Sequence, residues 1–339
     1  MIMSGEQGDG RKENKDNTNG GGKGAEWIFF VFLRQMSPLP LDNAKAMVFY
    51  GRELFLPVGE AKGGTENMKK LVALVMALMM ALCATAALAD QLSDIQAKGV
   101  LELGANIDFM PYEFYWTNPE TGEEEVAGFD MALAQGIADK LGVKLEIRDQ
   151  AFSGLVTALS AGEMDMVISG LAIKPERLEV VDFSDPYFSG EQILLVRAED
   201  YDSLKTVEDM AGKKVGAQLG SLQQGILEEQ FAASEPLLLE KIHILALELD
   251  QGNIDGWLIT DLVAKQYMAV YPGRFQISEV PVVYDSSAGI GVAVPKGDNA
   301  SLLAEVNAYI AEVKENGTFD AWVDEAAAKG ASLLAAQEN

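Results

Sequence analysis

The chain has 339 residues, 48% of them hydrophobic, which is long for a single core and apolar enough to bury two. Against 26 Lys and Arg stand 52 Asp and Glu, a net charge of -26 that falls after Ala89; it would repel nucleic-acid phosphates and anionic lipid headgroups and favours a soluble monomer. One cysteine, Cys83, and one histidine, His243, leave no disulfide framework and little basis for a Cys/His zinc site or a Ser-His-Asp triad, so no metal, cofactor or catalytic residue is expected.

In chain order, the first segments do not read as fold. Residues 1–67 contain the low-complexity polar stretch "GDGRKENKDNTNGGGKG" and the run "EWIFFVFL", too short to span a bilayer. From Met68, "MKKLVALVMALMMALCATAALAD" has two lysines, an apolar run and small residues before Asp90, the three parts of a secretory signal peptide cleaved after Ala89. Such a peptide works at the start of a chain. Met68 therefore reads as the initiator, residues 68–89 as the signal peptide and residues 1–67 as a disordered, non-native upstream extension. Leu82 stands before Cys83 where a lipid-anchored protein would carry a small residue, which favours a free periplasmic product over a lipid-anchored one.

After Asp90, short β-rich runs alternate with helical ones. "VLELGAN" reads as a strand, and "GFDMALAQGIADKLG" as a helix with Asp130 as N-cap, an apolar stripe of Met131, Ala134, Ile137, Ala138 and Leu141, and Gly142 as its stop. "VKLEIRD" as strand, "FSGLVTALSAG" as helix and "MDMVISG" as strand complete a βαβαβ order, which implies a parallel sheet with helices on both faces. "GEQILLVRA" (190–198) is an extended run. The rhythm restarts with the strand "KKVGAQL", the helix "SLQQGILEEQF", the strands "KIHIL" and "IDGWLIT" and the helix "DLVAKQYMAVY". His243, inside "KIHIL", has no evident titratable partner and reads as structural. "GIGVAVPK" (289–296) is a second extended run; the tail holds a helix over 302–313, an Asn316-Gly317 turn and a helix with Phe319, Trp322 and Val323. The expected fold is α/β and two-lobed, each lobe a mainly parallel sheet flanked by helices. Lobe 1 takes residues 90–188 and 290–339, lobe 2 residues 189–289, with the extended runs joining them. Ligands of such sheets bind at the carboxyl ends of strands, which points to a cleft between the lobes.

The stretches "MPYEF", "AGFDMALAQGIADKLG", "FSGLVTALSAGEMDMVISGLAIKPERLEVVDFSDPYF", "GKKVGAQLGS" and "GNIDGWLITD" resemble the family 3 periplasmic solute-binding proteins of polar amino-acid ABC transporters. They spread over nearly all of residues 90–329, and the long middle motif is the most specific. The resemblance implies a type II periplasmic binding protein fold. It also implies capture of a free α-amino acid by lobe closure, with delivery to an ABC permease and its ATPase. Taken alone, Arg177 is a helix-surface residue placed to pair with Glu176 or Glu179, worth about 0–1 kcal/mol. The resemblance assigns it the ligand carboxylate, through a bidentate charge-assisted contact. Asp261 alone is a helix N-cap; the resemblance places it at the ligand ammonium. Ser221 opens a helix whose outward N–H groups favour an anion, and completes the carboxylate cradle with Gly170 and Ser169. Phe109 and Phe152, by themselves core candidates, match the apolar walls around the ligand side chain.

Three departures from that pattern bear on specificity. Ala172 stands where many relatives carry a hydroxyl, leaving its main chain alone to serve the carboxylate. Asn106 replaces a frequent Asp and, with Gln218, suggests a polar uncharged pocket and hence a polar amino acid. "IHILALELDQGNIDG" is shorter than the usual strand-helix-strand passage, which suggests a stunted helix in lobe 2. The competing reading is a dehydratase acting on a cyclic amino-acid precursor on the same fold; it needs a catalytic acid in the cleft, and none stands out.

Overall fold

The computed structural model describes residues 90–285 and 289–337, all within one compact unit. The expected extension, the signal peptide and Cys83 lie outside these residues. Asp90 caps the first helix, α1 (Gln91–Lys98), by accepting from the Ser93 N–H at 2.9 Å, and left-handed Gly99 ends it. Strand β1 (Val100–Ala105) follows, then a hairpin of β2 (Phe114–Thr117) and β3 (Glu124–Ala127). Helix α2 (Phe129–Leu141) starts at Gly128, whose φ of 125° and closeness to Tyr112 demand glycine: a Cβ there would stand 2.0 Å from the Tyr112 carbonyl oxygen. Asp130 is not the N-cap. It is the second residue of α2, fully buried, with its carboxylate turned inward. Strand β4 (Lys144–Asp149), a single 3-10 turn over Phe152–Gly154, helix α3 (Leu155–Ser160), strand β5 (Met166–Val167), helix α4 (Pro175–Leu178) and strand β6 (Val181–Phe183) complete this part of the chain.

The second lobe contains β7 (Gln192–Arg197), β8 (Lys214–Gln218), helix α5 (Leu222–Gln230), β9 (Glu235–Leu239), helix α6 (Ile242–Asp250), β10 (Gly256–Thr260), helix α7 (Asp261–Val270) and β11 (Phe275–Ile277). "KIHIL" is therefore no strand. The strand lies upstream, in "EPLLL", and Ile242 opens a nine-residue helix whose Ile242, Leu245, Ala246 and Leu249 fall on one buried stripe. No stunted helix results, because the turn between strand and helix is short. The chain returns through β12 (Ala293–Pro295) and ends in α8 (Ala300–Glu315) and α9 (Thr318–Gln337).

Two five-stranded sheets result, with orders β4-β1-β5-β12-β6 and β11-β7-β10-β8-β9. The βαβ units supply parallel pairs, β1 with β4 and β5, and β8 with β9 and β10. The two extended runs supply the antiparallel ones: β12 pairs with β5 and β6, and β7 with β10 and β11. Each run thus ends inside a sheet instead of merely linking two. Where the chain crosses, Phe188 and Ala172 both bridge Ile290, and the Tyr284 hydroxyl donates to the Gly190 carbonyl at 2.9 Å. The core beneath the crossing is aromatic: Tyr112, Phe129, Phe188 and Phe319 pack edge or tilted at centroid distances of 4.4–6.3 Å.

Candidate functional site

A cleft of about 690 Å³ lies between the sheets at the strand ends. Phe109, Phe152, Gly170, Ala172 and Arg177 line it from the first lobe, and Gln218, Gly220, Ser221, Gln223 and Thr260 from the second. Gly190 and Ile290 close it at the crossing.

Arg177 owes its place to α4. Pro175 fixes the start of that short helix, and two residues later the Arg177 guanidinium folds back toward Ala172, where it is buried. Nη1 donates to the Ala172 carbonyl at 2.7 Å, and Nη2 crosses the cleft to the Gly220 carbonyl at 2.9 Å. The Phe152 ring centroid lies 5.7 Å from Cζ, close enough for a cation–π contact. Burial pushes the guanidinium down to about 10, with the neighbouring Glu176 acting the other way. A buried cation whose donors end on main-chain carbonyls keeps a strong unmet affinity for an anion.

The anion would find further donors opposite. Ser221 is the N-cap of α5; its Oγ donates to the Gln218 carbonyl at 2.6 Å and accepts from the Gln224 N–H at 3.2 Å, so the hydroxyl shapes the loop 218–221 and leaves main-chain N–H groups at the helix start. Gly170 forms part of the floor. Its φ is 55°, and a Cβ would stand 2.7 Å from the Phe109 ring, so the position admits glycine alone. Phe109 stacks on Tyr112 at 4.5 Å and faces the cleft, as does Phe152.

Two expected residues lie behind the walls, and a third sits at the crossing end just outside the cleft lining. Ser169 Oγ donates to Glu113 Oε1 at 2.6 Å and accepts from the Asn106 N–H at 3.0 Å. Asn106, buried, gives its amide to the Gln150 carbonyl and accepts from Gln218 Nε2 at 3.1 Å, which stitches one lobe to the other. Asp261 is the first residue of α7 and follows the capping position, Thr260; its Oδ2 accepts from Lys265 Nζ at 2.6 Å. Its Oδ1 lies 3.6 Å from where a Cβ on Gly190 would stand, at the crossing end of the cleft. Unforeseen wall residues are Gln192 and Gln223, whose side chains bond to each other at 2.7 Å; the doubled Gln in "SLQQG" signals Gln223, and no pattern marks Gln192.

Beneath the floor sits a pair of fully buried acids. Glu113 and Asp130 act on each other electrostatically, and Asp130 Oδ2 accepts from the Gly170 N–H at 2.7 Å and the Tyr187 hydroxyl at 2.9 Å. Burial raises both carboxyls, Asp130 to about 7 and Glu113 well above its usual range, the latter pushed further by the Asp130 charge. Burial thus biases both carboxyls toward their protonated forms. Among the described residues no group of three or more His, Cys, Asp or Glu is placed to hold a metal ion, and no helix is long and apolar enough to cross a membrane.

Two sheets joined by a double crossing, with a buried arginine facing the gap between them, define the class of two-lobed ligand-capturing proteins. A family model described as bacterial extracellular solute-binding proteins, family 3, matches residues 101–326, and the chain belongs to that family. Among its relatives is the arginine-binding extracellular protein ArtP of Bacillus subtilis, 29% identical over 75% of this chain and 96% of ArtP. An amino acid ABC transporter substrate-binding protein from Streptococcus pneumoniae bound to L-arginine superposes with a TM-score of 0.67 at 29% identity, covering 70% of this chain and 98% of that one. The ancestral amino acid-binding protein AncCDT-1, a precursor of cyclohexadienyl dehydratase, superposes at 0.62 with 30% identity, over 69% of this chain and 98% of its own.

Proposed function

We propose that this chain is the extracytoplasmic substrate-binding component of an amino-acid ABC importer, exported to the periplasm by a cleaved signal peptide. It captures a free α-amino acid as a monomer and presents the closed form to the permease and its ATPase. The observation that carries this is Arg177, a buried guanidinium whose donors reach main-chain carbonyls of both lobes at a cleft of about 690 Å³, ample for an amino acid. A ligand carboxylate would take those donors together with the N–H groups at the start of α5. Asp261, at the crossing end, receives the ammonium once Lys265 lets go of Oδ2. Phe109 and Phe152 flank the side chain, and the Gln192, Gln218 and Gln223 amides supply neutral partners, which favours a polar ligand. Residues 90–188 with 290–339 move as one lobe and residues 189–289 as the other, so that closure is a shift between two populations biased by contacts that exist in the closed form.

A thermal-shift screen of the standard amino acids tests this reading. A ligand at 100 times its dissociation constant adds about 2.7 kcal/mol, a shift of several degrees for a chain of this size. One or a few polar amino acids are expected to stabilise the protein; a flat response to all of them would count against it. The dehydratase alternative draws on AncCDT-1, itself an amino acid-binding protein, and predicts turnover of a cyclic precursor in place of stable binding.

A further inference from the structure

We propose that Asp108 and His243 form a clasp that holds the two lobes together without touching the ligand; the idea rests on the closure reading above and adds a device to it. Asp108 lies in the first lobe, in the loop after β1, and His243 is the second residue of α6 in the other lobe. Neither lines the cleft.

The contact uses both carboxylate oxygens. Asp108 Oδ2 accepts from the Ile242 N–H at 2.8 Å, and Oδ1 lies 2.7 Å from His243 Nδ1. Helix α6 needs this partner: its own N-cap residue, Lys241, makes no side-chain cap hydrogen bond. A carboxylate at a helix N-terminus satisfies an orphan N–H and meets the positive end of the helix dipole. Here the cap comes from the opposite lobe. Opening the cleft would strip α6 of its cap, so the helix start itself favours the closed form. Asp108 is held for this task, with its own N–H donating to the Asn106 carbonyl at 2.7 Å and its side chain mostly buried.

The same flank carries two more crossings. Ser153 Oγ donates to Glu240 Oε1 at 2.7 Å, and Gln218 Nε2 donates to both Asn106 Oδ1 and the Glu240 carbonyl. The turn 240–243 thus meets the first lobe at residues 108 and 153, and Gln218, bonded to that turn through the Glu240 carbonyl, meets it at Asn106. Asp108 is the member that contributes charge and a helix cap together, and the loss of one cap typically shifts an equilibrium by about fivefold.

Small-angle scattering and amide hydrogen exchange on the full, ligand-free chain test the clasp, so the result does not depend on knowing the ligand. In Asp108→Ala the amides from Ile242 to Leu245 should exchange about fivefold faster, and the radius of gyration should rise as open molecules accumulate. His243→Ala, which removes an exposed ring and puts no fold at risk, should give a smaller change of the same sign in both. Unchanged exchange in both variants would overturn the proposal. Faster exchange with an unchanged radius would reduce the contact to a local cap and overturn it equally. A parallel titration with L-arginine, as probe, separates the two readings: failure to bind bears on ligand class alone, whereas the scattering and exchange results decide the clasp.

Discussion

Arg177 is the residue on which the chemistry turns. If its role were structural, removing it would unfold the protein; if it serves the ligand, removal should spare the fold. Arg177→Met is expected to keep the ligand-free stability within about 1 kcal/mol of the parent, because the change takes a poorly paired cation out of a buried place, while all ligand-induced stabilisation disappears. Gly170 makes the opposite case. Gly170→Ala forces a side chain into left-handed backbone and onto the Phe109 ring, and should cost about 1–2 kcal/mol in chemical denaturation. The acid pair adds a pH signature. Both carboxyls are raised in the folded state, so between about pH 4 and 7 the native protein binds more protons than the unfolded chain, and stability falls as pH rises through that window. Glu113→Gln, which keeps a hydrogen-bond donor toward Asp130, should flatten the fall of the melting temperature between about pH 4 and 7; an unaltered slope would mean the pair does not share a proton. Arg177 and Gly170 were legible in the motif they occupy, but Ser169 and Asn106 were not separable from true wall residues. Alternation along a strand tells which residues share a face, and not whether that face opens on the cleft or on Glu113.

At the scale of elements, most of the alternation was readable because helical stripes such as Met131 to Leu141 and β-rich runs differ in period. Helix α6 escaped, for a physical reason. A run as short as "KIHIL" fits either period, and the true strand in "EPLLL" contains Pro236, which discourages a strand reading; β9 tolerates it because it lies at the edge of its sheet. The two assignments differ in a testable way. Were the strand "KIHIL" carried on two residues, Leu245 and Leu247 would share a face, whereas in α6 Leu245 is buried and Leu247 is exposed. Leu245→Ala should cost about 2–5 kcal/mol and Leu247→Ala under about 0.5 kcal/mol in urea unfolding. Equal costs would restore the strand. The histidine that seemed partnerless while it sat in a strand gains Asp108 once it sits at a helix start, which is why one misplaced element hid a contact between lobes.

For the whole molecule, the two-lobed plan followed from a repeated βαβ rhythm and two extended runs, while the antiparallel role of β7 and β12 within the sheets required long-range pairing that no local pattern encodes. The clasp, the Asn106–Gln218 bridge and the reach of Arg177 to Gly220 all span the gap between lobes that are distant in sequence. Together they describe a molecule whose closed form is assembled from many single hydrogen bonds, each modest, around the buried Arg177 guanidinium. The most direct test of that account is titration calorimetry of the parent chain and Arg177→Ala against the standard amino acids, each paired with its α-carboxamide. The account predicts one-to-one binding of at least one polar amino acid at micromolar affinity or better, about -8 kcal/mol, with at least a hundredfold loss for its carboxamide and for the variant. No heat from any amino acid, or native affinity in Arg177→Ala, would contradict it.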